Sequence, residues 1–451
     1  MQASTEADVV SVAPEKPISL AAAWYAVAVL LLFYIFSTID RAIINMMVVP
    51  LERDLHVTDL QIGLLQGPAF GIFYVICGLF MGTLVDRYSR RWMGAIGVTI
   101  WGLATCFCGM AASVLQLFIG RMGVGVGESV LTPAAHSIIA EQFPAKRLST
   151  ALSVFTLGSV IGAGIALALG GAVVQIVTHM PPVVLPVIGA VRAWQLAFLI
   201  VGIPTLLITP LMFSFREYRR TPHVAGSADA AAKAAGAAAF MKSHWKLVFG
   251  LPLAFGLTNI MCQAFNAWIP TILIRNHHWN PAQAGLALGM ILLFGGVVGQ
   301  MLGATVVDWL YARGVKDAHV RYHIGGMLIS APCAVGAFLC GNPVLMLVLI
   351  TVFYTLSYPF VGYAAAALQL FAPSNVRGRV SAIFLAVVTL VGVAFGPTGP
   401  AWIGEKLFHD KTHLPAALAI VVAIVAPLVV LMMWQVGRVM KDLQADTPAT
   451  V

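Results

Sequence analysis

Charge is what this sequence has least of. Asp, Glu, Lys and Arg make up 10% of its 451 residues while 60% are hydrophobic, against about 25% charged in an ordinary soluble domain. So few charges cannot cover a water-soluble surface, which excludes a soluble enzyme, a nucleic-acid binder and a disordered chain. Cysteine is scarce too, and all six (Cys77, Cys106, Cys108, Cys262, Cys333 and Cys340) stand inside apolar runs. Thiols there behave as small hydrophobes, so neither a disulfide framework nor a zinc site is expected. The chain also lacks an Asn-x-Ser/Thr acceptor, any strand-like alternation, and a basic leader with a cleavage site before its first apolar run. That run is therefore read as a retained span. What abounds instead is 42 Gly and 24 Pro, both commoner in transmembrane helices than in soluble ones.

A spanning helix needs about 20 mostly apolar residues. Twelve runs qualify: 21–49, 60–84, 92–112, 115–140, 149–176, 193–214, 247–274, 284–310, 323–340, 344–371, 380–403 and 414–436. The one long polar gap, 215–246, divides them six and six. The expected organisation is an all-α membrane protein: an N-terminal tail (1–20), a six-helix bundle (21–214), a basic, Ala-rich linker (215–246), a second bundle (247–436) and a C-terminal tail (437–451). Within the linker, Val224–Phe240 is read as either a helix or a flexible tether, since an isolated helix of that length is marginal in water.

The few cations are distributed unevenly. The two tails and the loops on their side hold 19 Lys/Arg, the opposite loops hold 5, and Arg41 and Arg121 lie within runs. By the positive-inside rule, both termini and the linker are expected in the cytoplasm. The net charge of +8 then needs no nucleic acid to explain it.

The halves resemble each other. Phe143–Phe155, joining the fourth and fifth runs, and Phe371–Phe384, joining the tenth and eleventh, share a Pro-to-Phe spacing of eleven, offset by 229 residues; Gly170 and Gly399 keep the same offset. Gly82 with Asp86, ending the second run, matches Gly303 with Asp308, ending the eighth. Two related bundles are the mark of a transporter that rocks about a central site.

Four ionisable residues lie deep in the runs: Asp40 and Arg41 in the first, Arg121 and Glu128 in the fourth. A charge at the bilayer centre costs about 2.5–3.5 kcal/mol or more, so such groups are functional candidates by default. Arg121 and Glu128 lie seven residues apart, on one helix face and about 10 Å apart along the axis at 1.5 Å per residue. Burial disfavours a charged carboxylate and a neighbouring Arg favours it. A carboxylate whose Arg partner comes and goes would therefore bind and release protons, and Glu128 is expected as the principal proton site, with Asp40 as gate partner or second site. The competing reading is a permanent buried salt bridge between the two helices, which adds little stability.

The second half offers only neutral polar groups: Asn259, Gln263 and Asn266 in the seventh run, and Tyr354, Ser357 and Tyr358 in the tenth. They are expected as an uncharged cavity wall or as interhelical hydrogen bonds. Gly123, Gly125 and Gly127 lie mid-helix, without the strand a dinucleotide loop needs. They are read as packing positions, as are Gly158, Gly162 and Gly170 and Gly392, Gly396 and Gly399. His136 is read as a packed helix residue, and His277 and His278 as solvated.

The loop from Gly82 through Asp86, Arg87 and Arg90 to Arg91 resembles the G-x-x-x-D-R-x-x-R-R loop of the major facilitator superfamily. Its Asp is expected to act as a clasp, bonding across the bundle interface in one state and letting go in the other. Arg121, the glycines after it and Glu128, with Ile138–Phe143 and the Asp40–Arg41 pair, resemble the spinster-like lipid transporters. The departure is Ser37-Thr38-Ile39 ahead of Asp40, where those relatives often carry Asn and an aromatic residue. The resemblance implies the superfamily's two-bundle fold, roles in coupling and gating for Asp40, Arg41 and Glu128, and a supporting charge at Arg121. It implies a monomeric, multi-pass protein of a bacterial inner membrane that carries a lysophospholipid or sphingosine-1-phosphate-like anion among membrane lipids, with protons as the coupling ion and no cofactor. The alternative is a proton-coupled carrier of small organic anions or hexuronates. More remote is a polytopic membrane enzyme, for which Glu141 near His136 is the one faint candidate.

Overall fold

The computed structural model describes residues 19–180, 183–185, 189–217, 241–315, 317–358, 360, 363–364 and 377–445. Residues 1–18 and 446–451 of the tails, the linker segment Val224–Phe240, the repeat loop at Phe371–Asn375 and the side chain of Asp86 lie outside it. Eleven helices are long and apolar enough to cross a membrane, from Leu20–Met46, Asp59–Val85, Arg90–Met110 and Val114–Gln142 to Val380–Phe408 and Lys411–Met440. The tenth expected run appears as the shorter helix Pro343–Leu356, its continuation mostly beyond the described residues. With these twelve counted as spans in chain order, both termini fall at one end of the molecule.

Local sequence sets where the spans begin. Ser19, Thr58, Ser89, Ser113, Asn280 and Asn342 each accept a backbone N–H from the first helical turn, as good N-caps do. A short helix, Val48–Leu55, follows the first span and stops at left-handed His56, φ 52°. Val183–Leu185 pairs antiparallel with Gly189–Val191 between the fifth and sixth spans. This small hairpin was not foreseen, because three-residue strands leave no periodicity to read.

In the first half the first span packs on the fifth and the third on the fourth and sixth. In the second half the seventh packs on the eleventh and twelfth and the ninth on the tenth and twelfth. The halves meet where the fifth span lies along the eighth and the second along the eleventh. Glycine makes both seams close: a Cβ on Gly63 would fall 2.8 Å from the Pro397 carbonyl oxygen, and one on Gly171 would strike the Pro281 backbone. Small residues of this kind let membrane helices approach in the absence of a hydrophobic driving force.

The seams are locked at the end away from the termini. Arg275, closing the seventh span, places both terminal nitrogens 2.9 Å from the Asp59 carboxylate and one 2.8 Å from Glu52. Lys411 adds a 2.7 Å bond to Glu52. Among the described residues, no hydrogen bond or ion pair joins the halves at the terminal end.

Four spans are interrupted at a common region. The second breaks at Gly67, between Asp59–Gln66 and Pro68–Arg87. The fourth breaks between Val114–Glu128 and Leu131–Gln142, where Pro133 has no N–H for the Ser129 carbonyl. The eighth winds into a π-turn at Ile291–Gly295, and the eleventh is interrupted at Gly396 and Pro397. Irregular backbone at membrane depth is tolerated only inside protein or beside a cavity. Gln66, Leu292 and Pro397 all line one cavity, and Glu128 sits against its Arg41.

Candidate transport site

The cavity has a volume of about 230 Å³ and lies between the halves. The first half supplies Thr38, Arg41 and Asn45 from span one, Gln66, Phe70 and Tyr74 from span two, and part of span five; the second half supplies Gln263, Asn266, Tyr358, Thr389 and Val393.

The four expected charges come together as two pairs joining spans one and four. Arg41 Nε lies 2.5 Å from Glu128 Oε2. Ser37 Oγ donates to the same oxygen at 2.9 Å and accepts from Arg41 Nη2 at 3.1 Å. Glu128 is fully buried, its Oε1 has no partner, and the Arg41 side chain keeps 30% exposure. Phe70 and Tyr74 present their faces to Arg41, centroids 5.0 and 4.7 Å from its Cζ, which favours a guanidinium there. The second pair is more deeply buried, with Arg121 reaching the cavity wall. Arg121 Nη1 lies 3.4 Å from Asp40 Oδ1, with side-chain exposures of 1% and 0%. Trp101 Nε1 and Thr105 Oγ1 both donate to Asp40 Oδ2.

The glycines of span four make this geometry possible. A Cβ on Gly125 would fall 3.2 Å from the Tyr74 backbone nitrogen, and one on Gly127 would meet Gly97 and Trp101 at 2.5–2.8 Å. Close approach there brings Phe70, Tyr74 and Trp101 up to the charges. Gly399, in contrast, has open space where a Cβ would stand, so the packing role expected for it does not hold.

The neutral wall needs correction. Gln263, Asn266 and Tyr358 line the cavity, but Asn259, Tyr354 and Ser357 do not. Asn259 donates to the Val388 carbonyl over Gly392, Tyr354 donates to Asn266 Oδ1, and Ser357 pairs with Ser330 at 2.6 Å. Helical spacing located the polar face of span seven but not the rotation that turns Asn259 into the seam with span eleven.

Four residues went unread in the sequence. Trp101 and Thr105 were hidden in an ordinary apolar run. Asn45 bridges the halves, donating to the Asn266 carbonyl at 3.1 Å. His323 lies fully buried in the second half, 2.9 Å from Thr258 Oγ1 and 2.7 Å from the Tyr363 hydroxyl, with no carboxylate among these partners. His136 is exposed and sets its ring edge-on to Phe155.

In the loop after span two, Arg87 is exposed and nothing is described of the Asp86 side chain. Arg90 is buried and forks onto Glu141 of span four, while Glu217 accepts from Ser89 and the Arg90 amide. Arg91 donates to the Phe215 carbonyl at 2.8 Å. These cations fasten spans three, four and six within one half. Glu141 is thereby committed to a guanidinium instead of to His136.

Residues 30–397 match the family model of the Major Facilitator Superfamily. The chain belongs to that superfamily. Accordingly it is a multi-pass membrane protein and a secondary transporter, not an enzyme. It is 26% identical over 388 residues to an MFS-type efflux pump of Mycolicibacterium smegmatis, covering 85% of this chain and 84% of that one. It is 24% identical to a hexuronate transporter of Escherichia coli, with 85% of each chain covered. A solved bacterial homologue of the human lysosomal transporter Spinster, inward-facing and unoccupied, superposes with a TM-score of 0.76 at 21% identity, over 96% of this chain and all of that one. The superfamily fold and the Spinster likeness expected from the motifs both stand.

Proposed function

We propose that this superfamily member couples the movement of an organic anion to protons, with Arg41 holding the anion and Glu128 the proton. The observation carrying this reading is the Arg41–Glu128 pair, set at the wall of a cavity between the halves with one Glu128 oxygen unpartnered. A proton on Glu128 cancels its charge and loosens its hold on Arg41, whose guanidinium stays charged. The freed guanidinium then takes a carboxylate or phosphate, for which its planar fork is suited. Loss of the proton restores the internal pair and displaces the anion. Asp40, already held by Trp101, Thr105 and Arg121, keeps Arg121 in place and takes no proton in this cycle.

A small acid fits the cavity best. Its volume of about 230 Å³ is below the roughly 300–1,000 Å³ of sites for drug-sized ligands, and hexuronate carriers stand among the relatives. A lysophospholipid or sphingoid phosphate is the second reading, favoured by the spinster-like residues of span four and by Leu167, Leu292 and Val393 on the cavity wall. Its headgroup would use the same Arg41.

The cation excess at the terminal end supports cytoplasmic termini, with the protein acting as a monomer in a bacterial inner membrane. The test is uptake by proteoliposomes under an imposed pH gradient, with D-galacturonate and a lysophospholipid as probes. Glu128→Gln is expected to abolish gradient-driven accumulation while sparing exchange of substrate across the membrane. Unchanged accumulation would refute the coupling role.

A further inference from the structure

Gln66 is unusual in this site. It ends the first segment of span two, at the Gly67 break, and is 7% exposed with neither side-chain Nε2 nor Oε1 bonded to any group. A buried amide left unpaired is costly, so it calls for a partner that the protein itself does not supply. The cavity it lines is the one that Arg41 faces. Across that cavity Gln263, from the other half, also has no hydrogen-bond partner among the described residues, and its Cβ is seated 2.5 Å from where a Cβ on Gly396 would stand. An amide offers a donor and an acceptor side by side. That pattern complements hydroxyl groups, which both give and take a hydrogen bond.

We infer that Gln66 and Gln263 are specificity-determining residues that read hydroxyl groups, and that the anion is a polyhydroxylated acid. This rests on the proposal that Arg41 holds the charged end of the cargo. One amide comes from each half, so a hydroxylated anion bound to both amides and to Arg41 ties the two halves together through itself. An acid without hydroxyls would leave both amides unpaired, and a site built to bond hydroxyls discriminates strongly against an analogue that lacks them. An apolar tail would do the same.

The experiment measures binding to the purified full-length protein by calorimetry, with D-galacturonate, D-galactonate and hexanoate as probes. Wild type is expected to bind the two hydroxylated acids at least about tenfold more tightly than hexanoate, about 1.4 kcal/mol. Gln66→Leu should erase most of that preference, with hexanoate bound at least as tightly as by wild type, which also shows that the variant is folded. Gln263→Leu should act in the same direction. Equal affinity of wild type for hexanoate and galacturonate would overturn the inference while leaving an anion carrier standing, as would a preference that survives both substitutions, the amides then being paired by water alone. Binding of none of the three acids, or binding indifferent to Arg41→Ala, would bring down the anion reading itself.

Discussion

Arg41–Glu128 and Arg121–Asp40 link the same two spans with the same chemistry, yet their surroundings differ. Both side chains of the Asp40 pair are buried, and Asp40 Oδ2 receives two donors besides the guanidinium opposite Oδ1, although Arg121 reaches the cavity wall and its Nε is unpartnered. The Glu128 pair borders a cavity, one oxygen of the acid is unpartnered, and Arg41 keeps further N–H groups for something else. An acid with both oxygens occupied fixes geometry; one with an oxygen free can exchange partners. The second half has neither. Counted 229 residues on from Glu128 stands Ser357, bonded to Ser330, and the same count from Arg41 reaches Pro270, so neither charge stands at the repeated position. The second half contributes only uncharged groups to the cavity.

The comparison breaks most visibly at Asp40. Removing one partner of a buried pair leaves an uncompensated charge and costs roughly 3–5 kcal/mol. Asp40→Ala is therefore expected to lower thermal stability in detergent far more than Glu128→Gln does. If Glu128→Gln proves equally destabilising, the two pairs are alike and the distinction fails.

Acidity separates the pairs next. Protonating Glu128 removes the charge that competes for Arg41, so anion affinity should rise as pH falls and decline as pH rises. In Glu128→Gln the competing charge is absent at every pH, and affinity should be high and flat, with a wild-type difference of about tenfold or more, near 1.4 kcal/mol, at alkaline pH. Calorimetric titration at several pH values checks this; a variant that keeps the wild-type slope assigns the proton elsewhere. A smaller effect probes the Asp40 pair. Trp101→Phe removes one donor to Asp40 and should cost about 1–3 kcal/mol of stability without altering the pH profile of binding. A shifted profile would mean that Asp40 titrates after all.

Much of this was legible in the sequence, for identifiable reasons. Hydrophobic run length gave the spans, because a bilayer enforces it, and the deep charges stood out because so few exist. Their pairing was not legible: depth along two helices ranks Asp40, Arg41 and Arg121 together, and only helix rotation assigns Arg41 to Glu128 and Arg121 to Asp40. The breaks at Gly67 and after Glu128 were missed because uniform hydrophobicity hides a lost backbone bond, although Pro68 and Pro133 were the available signal. The Arg275–Asp59–Glu52 lock was missed because loop charges look solvated until two halves bring them together.

The finest difference between the pairs is aromatic. Phe70 faces both guanidiniums, its ring centroid 5.0 Å from Arg41 Cζ and 5.3 Å from Arg121 Cζ, but only Arg41 has Tyr74 as well. A ring face holds a partly solvated cation by about 0.5–1 kcal/mol, and it does so whether Glu128 or a cargo anion is bound. Tyr74→Leu should therefore loosen Arg41 alone, weakening anion binding by roughly two- to fivefold on that scale while leaving thermal stability close to wild type. Phe70→Leu touches both pairs and should lower both. If Tyr74→Leu instead destabilises the fold as much as Phe70→Leu, the ring is packing and not a cradle for the exchangeable cation.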